Sequence, residues 1–270
     1  MIEGMVDTPG ASLHYVQEGM GPDIVWIPGG DMKSTVYRDQ TAAFSGNYRC
    51  TSYDPRGIGG TVTAVAGDWT MGDMADDCAA LIRQLCEPPV TLVGMSMGAS
   101  TALETAIRYP ELVRLAIAIG VSSKKTGFLL DWEEAEIAYF NAGIEMPLDF
   151  ALCHYAALYY PAQALADIEV WQRIKPLILE WLGGRDPEGA SGQWNACLNY
   201  NPLPGLPGCK VPIHVIACEQ DKVTPPSHGE EVARAAGNGH FHLVGGLGHC
   251  SMFGHAPGVV NDLIGDILES

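Results

Sequence analysis

The stretch Val90-Thr91-Leu92-Val93-Gly94-Met95-Ser96-Met97-Gly98 runs from a β-branched, apolar tetrapeptide into a serine set between two glycines. Helix-forming residues, from Ala99 to Tyr109, follow at once. A G-x-S-x-G pentapeptide between a strand and a helix is a nucleophile elbow, a tight and strained turn that holds a serine hydroxyl where a substrate can reach it. The glycines have a steric reason, because side chains at the two flanking positions would collide with the neighbouring strand and helix. A plain Gly/Ser turn would read the same way in isolation. The rest of the chain must therefore supply the context.

The apolar run at residues 24–27 is continuous, and similar strand-like runs recur at 49–53, 115–119, 213–217 and 241–244. Unbroken runs of this length suit strands buried on both faces. Residues 11–18 alternate like an edge strand and stop at Gly19-Met20-Gly21-Pro22. Helical periodicity falls between the runs, at residues 71–85, 100–109, 226–236 and 257–268. Strands alternating with helices imply βαβ crossovers, and so an α/β fold with a mostly parallel central sheet flanked by helices. Reactive groups in such sheets gather at the carboxyl ends of the strands. Pro28 to Asp31, Ser96, Asp221 and His249 each follow one of these strands, which places them on one rim.

From residue 122 to 205 the alternation stops, and helical patterns at 131–143, 147–160 and 162–183 replace it. We read 122–205 as a helical cap, or lid, inserted between core strands, with residues 1–121 and 206–270 forming the core. Aromatic residues concentrate in the cap. Most would pack its own small core, while Trp132, Tyr155 and Tyr159, with Gly29 and Asp31 from the core, are the candidates for substrate contact.

A serine hydroxyl is a poor nucleophile near neutral pH, so it needs a base within reach and a third group to orient that base. His249 lies in Gly245-Gly246-Leu247-Gly248-His249, a flexible loop after the last strand, with His255 as the alternative. The orienting acid is expected after the strand at 213–217. There Asp221 is preferred over Glu219, because the following Val-Thr-Pro-Pro segment starts a helix and leaves Asp221 in the turn before it. The oxyanion formed on attack needs two preorganised donors. The amides of Met97 and Gly30 are expected to form that oxyanion hole.

Composition narrows the function further. The formal charge of -17 over 270 residues argues against nucleic acid and anionic membrane surfaces, both of which need clustered Lys and Arg. A small, neutral or weakly polar molecule is the expected partner, and a homodimer is allowed. The start Met1-Ile2-Glu3-Gly4-Met5-Val6-Asp7 has neither the basic nor the apolar segment of a signal peptide, so a cytoplasmic location is expected. The eight cysteines form no C-x-x-C pair and are expected to be free thiols. No H-E-x-x-H or complete G-x-G-x-x-G appears, so neither a metal nor another cofactor is expected.

These residues resemble the α/β-hydrolase superfamily over nearly the whole chain. The likeness is carried by Pro28-Gly29-Gly30, Tyr53-Asp54-Pro55-Arg56-Gly57-Ile58-Gly59-Gly60-Thr61, Gly94-Met95-Ser96-Met97-Gly98, Asp221 and Gly248-His249. Members usually carry His-Gly where this chain has Pro28-Gly29. The resemblance implies a catalytic triad Ser96, Asp221, His249 in the superfamily's order, with Asp54 and Arg56 as scaffold. It also implies an esterase or lactonase acting through an acyl-enzyme, and the aromatic-rich cap points to an apolar, cyclic or aryl substrate. A C–C bond hydrolase acting on a ketone, or a slow or non-catalytic ligand sensor, are the alternative readings.

Overall fold

The computed structural model describes residues 1–64, 67–183 and 185–270. Its first half comprises β1 (Ile2–Thr8), β2 (Ala11–Glu18), β3 (Asp23–Ile27), α1 (Arg38–Phe44), β4 (Arg49–Tyr53), β5 (Val62–Thr63), α2 (Met71–Leu85), β6 (Val90–Met95), α3 (Met97–Arg108) and β7 (Val113–Ile119). Five helices follow: α4 (Phe128–Asn141), α5 (Leu148–Tyr159), α6 (Ala162–Ala166), α7 (Ile168–Gly183) and α8 (Pro187–Leu198). The chain ends with β8 (Ile213–Cys218), α9 (Pro226–Ala235), β9 (Gly239–Val244) and α10 (Pro257–Glu269).

Among the described residues the strands form one sheet in the order β1-β2-β4-β3-β6-β7-β8-β9, with β5 on β2. The pairs from β4 to β9 are all parallel, and only β1, β2 and β5 run against their neighbours. The apolar runs of β3, β7 and β8 follow from this, since a strand covered on both faces needs apolar residues at every position, whereas the run at 241–244 lies in β9 at the end of the strand order, where Phe241 and Leu243 are exposed. In β3, Ile24 and Trp26 join one core cluster while Val25 and Ile27 join the other. Strand β7 divides likewise, Leu115, Ile117 and Ile119 against Ala116 and Ala118. On the second face α2, α3 and α9 cover the sheet through Leu81, Ile82, Leu103 and Val232. On the first, α1 and α10 join helices of the 122–205 stretch through Phe44, Ile264, Tyr155, Ile174 and Trp181.

Three elements depart from the expectation. The strand at 11–18 is not an edge: β1 pairs along its full length, and β4 and β5 take its other side. β1 carries no apolar period in its sequence, because only Val6 of its seven residues is buried. The helix expected over 162–183 is two helices, broken at Asp167, whose Oδ1 accepts the N–H groups of Glu169 and Val170 at 2.9 and 3.1 Å. Helix α8 was not anticipated; Asp186 caps it by accepting the Gly189 N–H at 2.8 Å. All eight cysteines are free. Among the described residues no helix is long and apolar enough to cross a membrane.

Candidate active site

Ser96 sits between β6 and α3 at φ 55° and ψ −117°, a left-handed backbone that a serine adopts only when its surroundings impose it. Those surroundings are backbone on three sides. The Ser96 N–H donates to Ile119 O at 2.9 Å, and Ser96 O accepts from Ala99 N at 3.0 Å and Ser100 N at 3.1 Å. A Cβ on Gly94 would overlap the carbonyl oxygen of Gly98, and one on Gly98 would overlap that of Ile27. Only glycines let β6, α3 and the end of β3 approach this closely. Met97 opens α3, where first-turn N–H groups have no acceptor within the helix.

Asp221 and His249 follow β8 and β9. The Oδ1 of Asp221 accepts the N–H groups of Val223 and Thr224, each at 2.8 Å. Its Oδ2 accepts the Thr224 hydroxyl at 2.9 Å and pairs with His249 Nδ1 at 2.7 Å. Both residues are buried, His249 at 3 % exposure. With Nδ1 committed to the carboxylate, Nε2 is the nitrogen left for proton exchange. Gly120, at φ 59°, lies beside the ring, where a Cβ would stand 3.2 Å from Cε1 and Nδ1. The loop is fixed by Gln220 N–H to Leu247 O at 2.8 Å, Gly248 N–H to Ser251 Oγ at 2.8 Å and Cys250 N–H to Tyr159 O at 3.0 Å.

The two alternatives are occupied elsewhere. Glu219 Oε2 accepts the Gly246 N–H at 2.8 Å, holding the histidine loop from outside. His255 Nδ1 bonds Ser251 Oγ at 2.9 Å, and burial pushes its pKa down.

Ser96, His249, Met97, Gly29 and Gly30 line one pocket, together with Trp132, Tyr159 and Trp194. Gly30 has open space around its α-carbon, the nearest atom to a Cβ there being Gln193 Oε1 at 3.9 Å. Asp31 and Tyr155 do not line this pocket. The Asp31 N–H donates to Gln193 Oε1 at 2.8 Å, and its carboxylate takes Trp194 Nε1 and pairs with Arg185 Nε, both at 3.2 Å. Tyr155 donates its hydroxyl to Glu136 at 2.8 Å and lies under the Arg185 guanidinium, 4.3 Å from the ring centroid. Both tie the helices over the sheet to the core, and Tyr155 lines a separate cavity with Phe140 and Arg185. Trp132 lines the pocket with its ring while its Nε1 donates to the same Glu136 at 3.0 Å.

Asp54 and Arg56 serve as scaffold. Asp54 accepts Ser34 N–H at 2.7 Å and Gly60 N–H at 2.9 Å, and Arg56 makes a buried two-pronged pair with Asp77.

Lys125, Glu133, Gln193 and Thr224 also line the pocket and were not singled out by sequence. The spacing D-x-x-T from Asp221 to Thr224 carries a readable signal, a carboxylate bonding the backbone two and three residues on. The others offered none, because long connections bring them in. Among the described residues no cluster of His, Cys, Asp and Glu could hold a metal ion.

A model of the alpha/beta hydrolase family matches residues 24–263. The chain is 31% identical over 252 residues, 93% of itself and 95% of the relative, to BpoC of Mycobacterium tuberculosis H37Rv, a protein named provisionally as a non-heme bromoperoxidase. The crystal structure of BpoC superposes with a TM-score of 0.88 at 28% identity over 95% of each chain. The enol-lactonase of Burkholderia xenovorans LB400 shares the fold, with a TM-score of 0.88 at 21% identity over 99% of this chain and 100% of its own.

Proposed function

The chain belongs to the alpha/beta hydrolase family, and from that premise we propose that it is a serine hydrolase cleaving a carboxylic ester or lactone through an acyl-enzyme. Ser96 Oγ attacks the carbonyl carbon as His249 Nε2 takes its proton, and Asp221 holds the imidazole and stabilises its charged form. The oxyanion is received by the amides of Met97 and Gly30. The protonated imidazole then gives its proton to the departing alkoxide. Water, deprotonated by the same nitrogen, releases the acid and restores Ser96. The observation that carries this reading is the 2.7 Å Asp221–His249 pair, buried in the wall of the pocket that Ser96 enters on a strained turn.

Residues 122–205 act in this reading as a lid whose Trp132, Tyr159 and Trp194 offer flat apolar surface, which suits a cyclic or aryl group on the substrate. A fluorophosphonate probe tests the chemistry: it should label the native protein and not Ser96→Ala, and absence of labelling on folded native protein would sink the proposal. Turnover of p-nitrophenyl esters beside macrocyclic and enol lactones then orders the substrates.

The name of BpoC favours a second reading of the same serine. Hydrogen peroxide in place of water would release the acyl group as a peracid, which oxidises bromide. Bromination that requires acetate and peroxide, and that is lost in Ser96→Ala, distinguishes it.

A further inference from the structure

The polar groups around Ser96 are almost all spoken for. Gln193 bonds Asp31 N with one end and, through Nε2, Arg56 O at 2.5 Å with the other. Trp194 Nε1 is held by Asp31, and the Thr224 hydroxyl by Asp221. Lys125 and Glu133, which flank the start of α4, form an ion pair at 2.7 Å with side chains only 11 and 5 % exposed. Lys125 Nζ donates to Glu133 Oε1. The second oxygen, Oε2, is buried without a hydrogen-bond partner, and among the described residues that line this pocket it is the one buried side-chain oxygen or nitrogen left so.

An unsatisfied buried acceptor destabilises the fold and is tolerated mainly where something else completes it. Burial raises the pKa of the Glu133 carboxyl, and the Lys125 ammonium 2.7 Å away acts against that push, in favour of the charged, acceptor form. We propose that Glu133 is a specificity-determining residue whose Oε2 accepts a hydrogen bond from a hydroxyl or N–H group on the substrate, with Lys125 holding the other oxygen. The substrate is then not wholly apolar: its ring or chain carries a donor that meets Glu133 in the pocket that Trp132, Tyr159 and Trp194 also line. A site built around a buried acceptor discriminates by more than it gains, since an analogue lacking the donor leaves that oxygen both dry and unpaired.

This inference rests on the pocket being the substrate site, and binding measured without turnover separates the two. Phenyl 3-(hydroxymethyl)benzoate and phenyl 3-ethylbenzoate, with their 4-substituted isomers, match in shape and differ in one donor. Calorimetric titration into Ser96→Ala should show the better hydroxymethyl isomer binding about 10- to 100-fold tighter than its ethyl partner, the discrimination expected of one hydrogen bond to a charged group. Adding Glu133→Gln, whose amide turns its oxygen to Lys125 and an N–H to the pocket, should abolish or reverse that preference. The apolar pair Lys125→Met with Glu133→Leu should abolish it too, and removing both charges together protects the fold if the single change does not. Equal binding of the partners, tighter ethyl binding, no binding of either, or a preference that survives both variants overturns the proposal. Hydrolysis of these esters by the native protein reports separately on the serine chemistry: turnover without donor preference removes the role of Glu133 alone, and donor preference without turnover removes the hydrolase reading alone.

Discussion

Asp221 and His249 are joined across two strand ends by a 2.7 Å bond, and three further donors, the amides of Val223 and Thr224 and the Thr224 hydroxyl, lock the carboxylate in place. Asp221→Asn keeps the shape but turns an N–H toward Nδ1, which favours the wrong imidazole tautomer. We expect kcat to fall by about 10⁴ with the fold intact. Glu219→Gln, which can still accept from Gly246, should retain activity within a few fold. Steady-state kinetics with circular dichroism on both variants checks this, and near-native turnover of Asp221→Asn would refute it.

Glycine substitution should have opposite signs in two helices. Replacing Gly by Ala in a helix usually stabilises by about 0.5–1 kcal/mol, and Gly265 in α10 has nothing within 4 Å of a Cβ, so Gly265→Ala should gain about that much. Gly98→Ala places its methyl on the Ile27 carbonyl and should lose about 1–3 kcal/mol, together with the proposed hydrolase activity, as α3 is pushed from β3. Urea unfolding of the two variants decides it.

Gln193 is the bridge between α8 and the turn expected to supply an oxyanion donor. Gln193→Leu leaves Asp31 N–H and Arg56 O without their partners, at a cost of about 1–3 kcal/mol for each buried group. Because the Gly29–Gly30 turn then loosens, kcat should fall more than KM rises. A variant with unchanged kcat would show that the turn holds its geometry without the bridge.

His214 predicts a pH dependence of stability. It stacks on His240 and His242, with ring centroids 4.5 and 5.2 Å away, and burial, then the two neighbouring imidazoles, push its pKa down to about 4. The unfolded chain, with a pKa near 6.5, binds more protons than the folded one below that value. This contribution is therefore present above about pH 6.5 and is lost as pH falls toward 4. The melting temperature of the native protein should drop more steeply over that window than that of His214→Phe; parallel curves would exclude His214 as the source.

The elbow around Ser96, the succession of parallel strands along the chain and the placing of an acid after β8 and of His249 after β9 were legible because each has a local cause. Glycines mark the tight turn, unbroken apolar runs mark strands buried twice, and Val-Thr-Pro-Pro fixes Asp221 in the turn before α9. β1 and α8 were not legible. Only Val6 of β1 is buried, and α8 buries mostly small and polar residues, Gly189, Ala190, Ser191 and Gln193 among them.

By itself, then, the sequence determined the elbow, the strand ends that carry Ser96, Asp221 and His249, and the family to which the chain belongs. The tertiary structure decided which neighbours each residue answers to. It drew Asp31 and Tyr155 out of the pocket into ties with Arg185 and Glu136, and brought Lys125, Glu133 and Gln193 in. The physical reason is range: backbone strain, capping and burial period are set by residues a few positions apart, whereas Asp31 meets Gln193 across 162 positions, by a path that only the packed helices define.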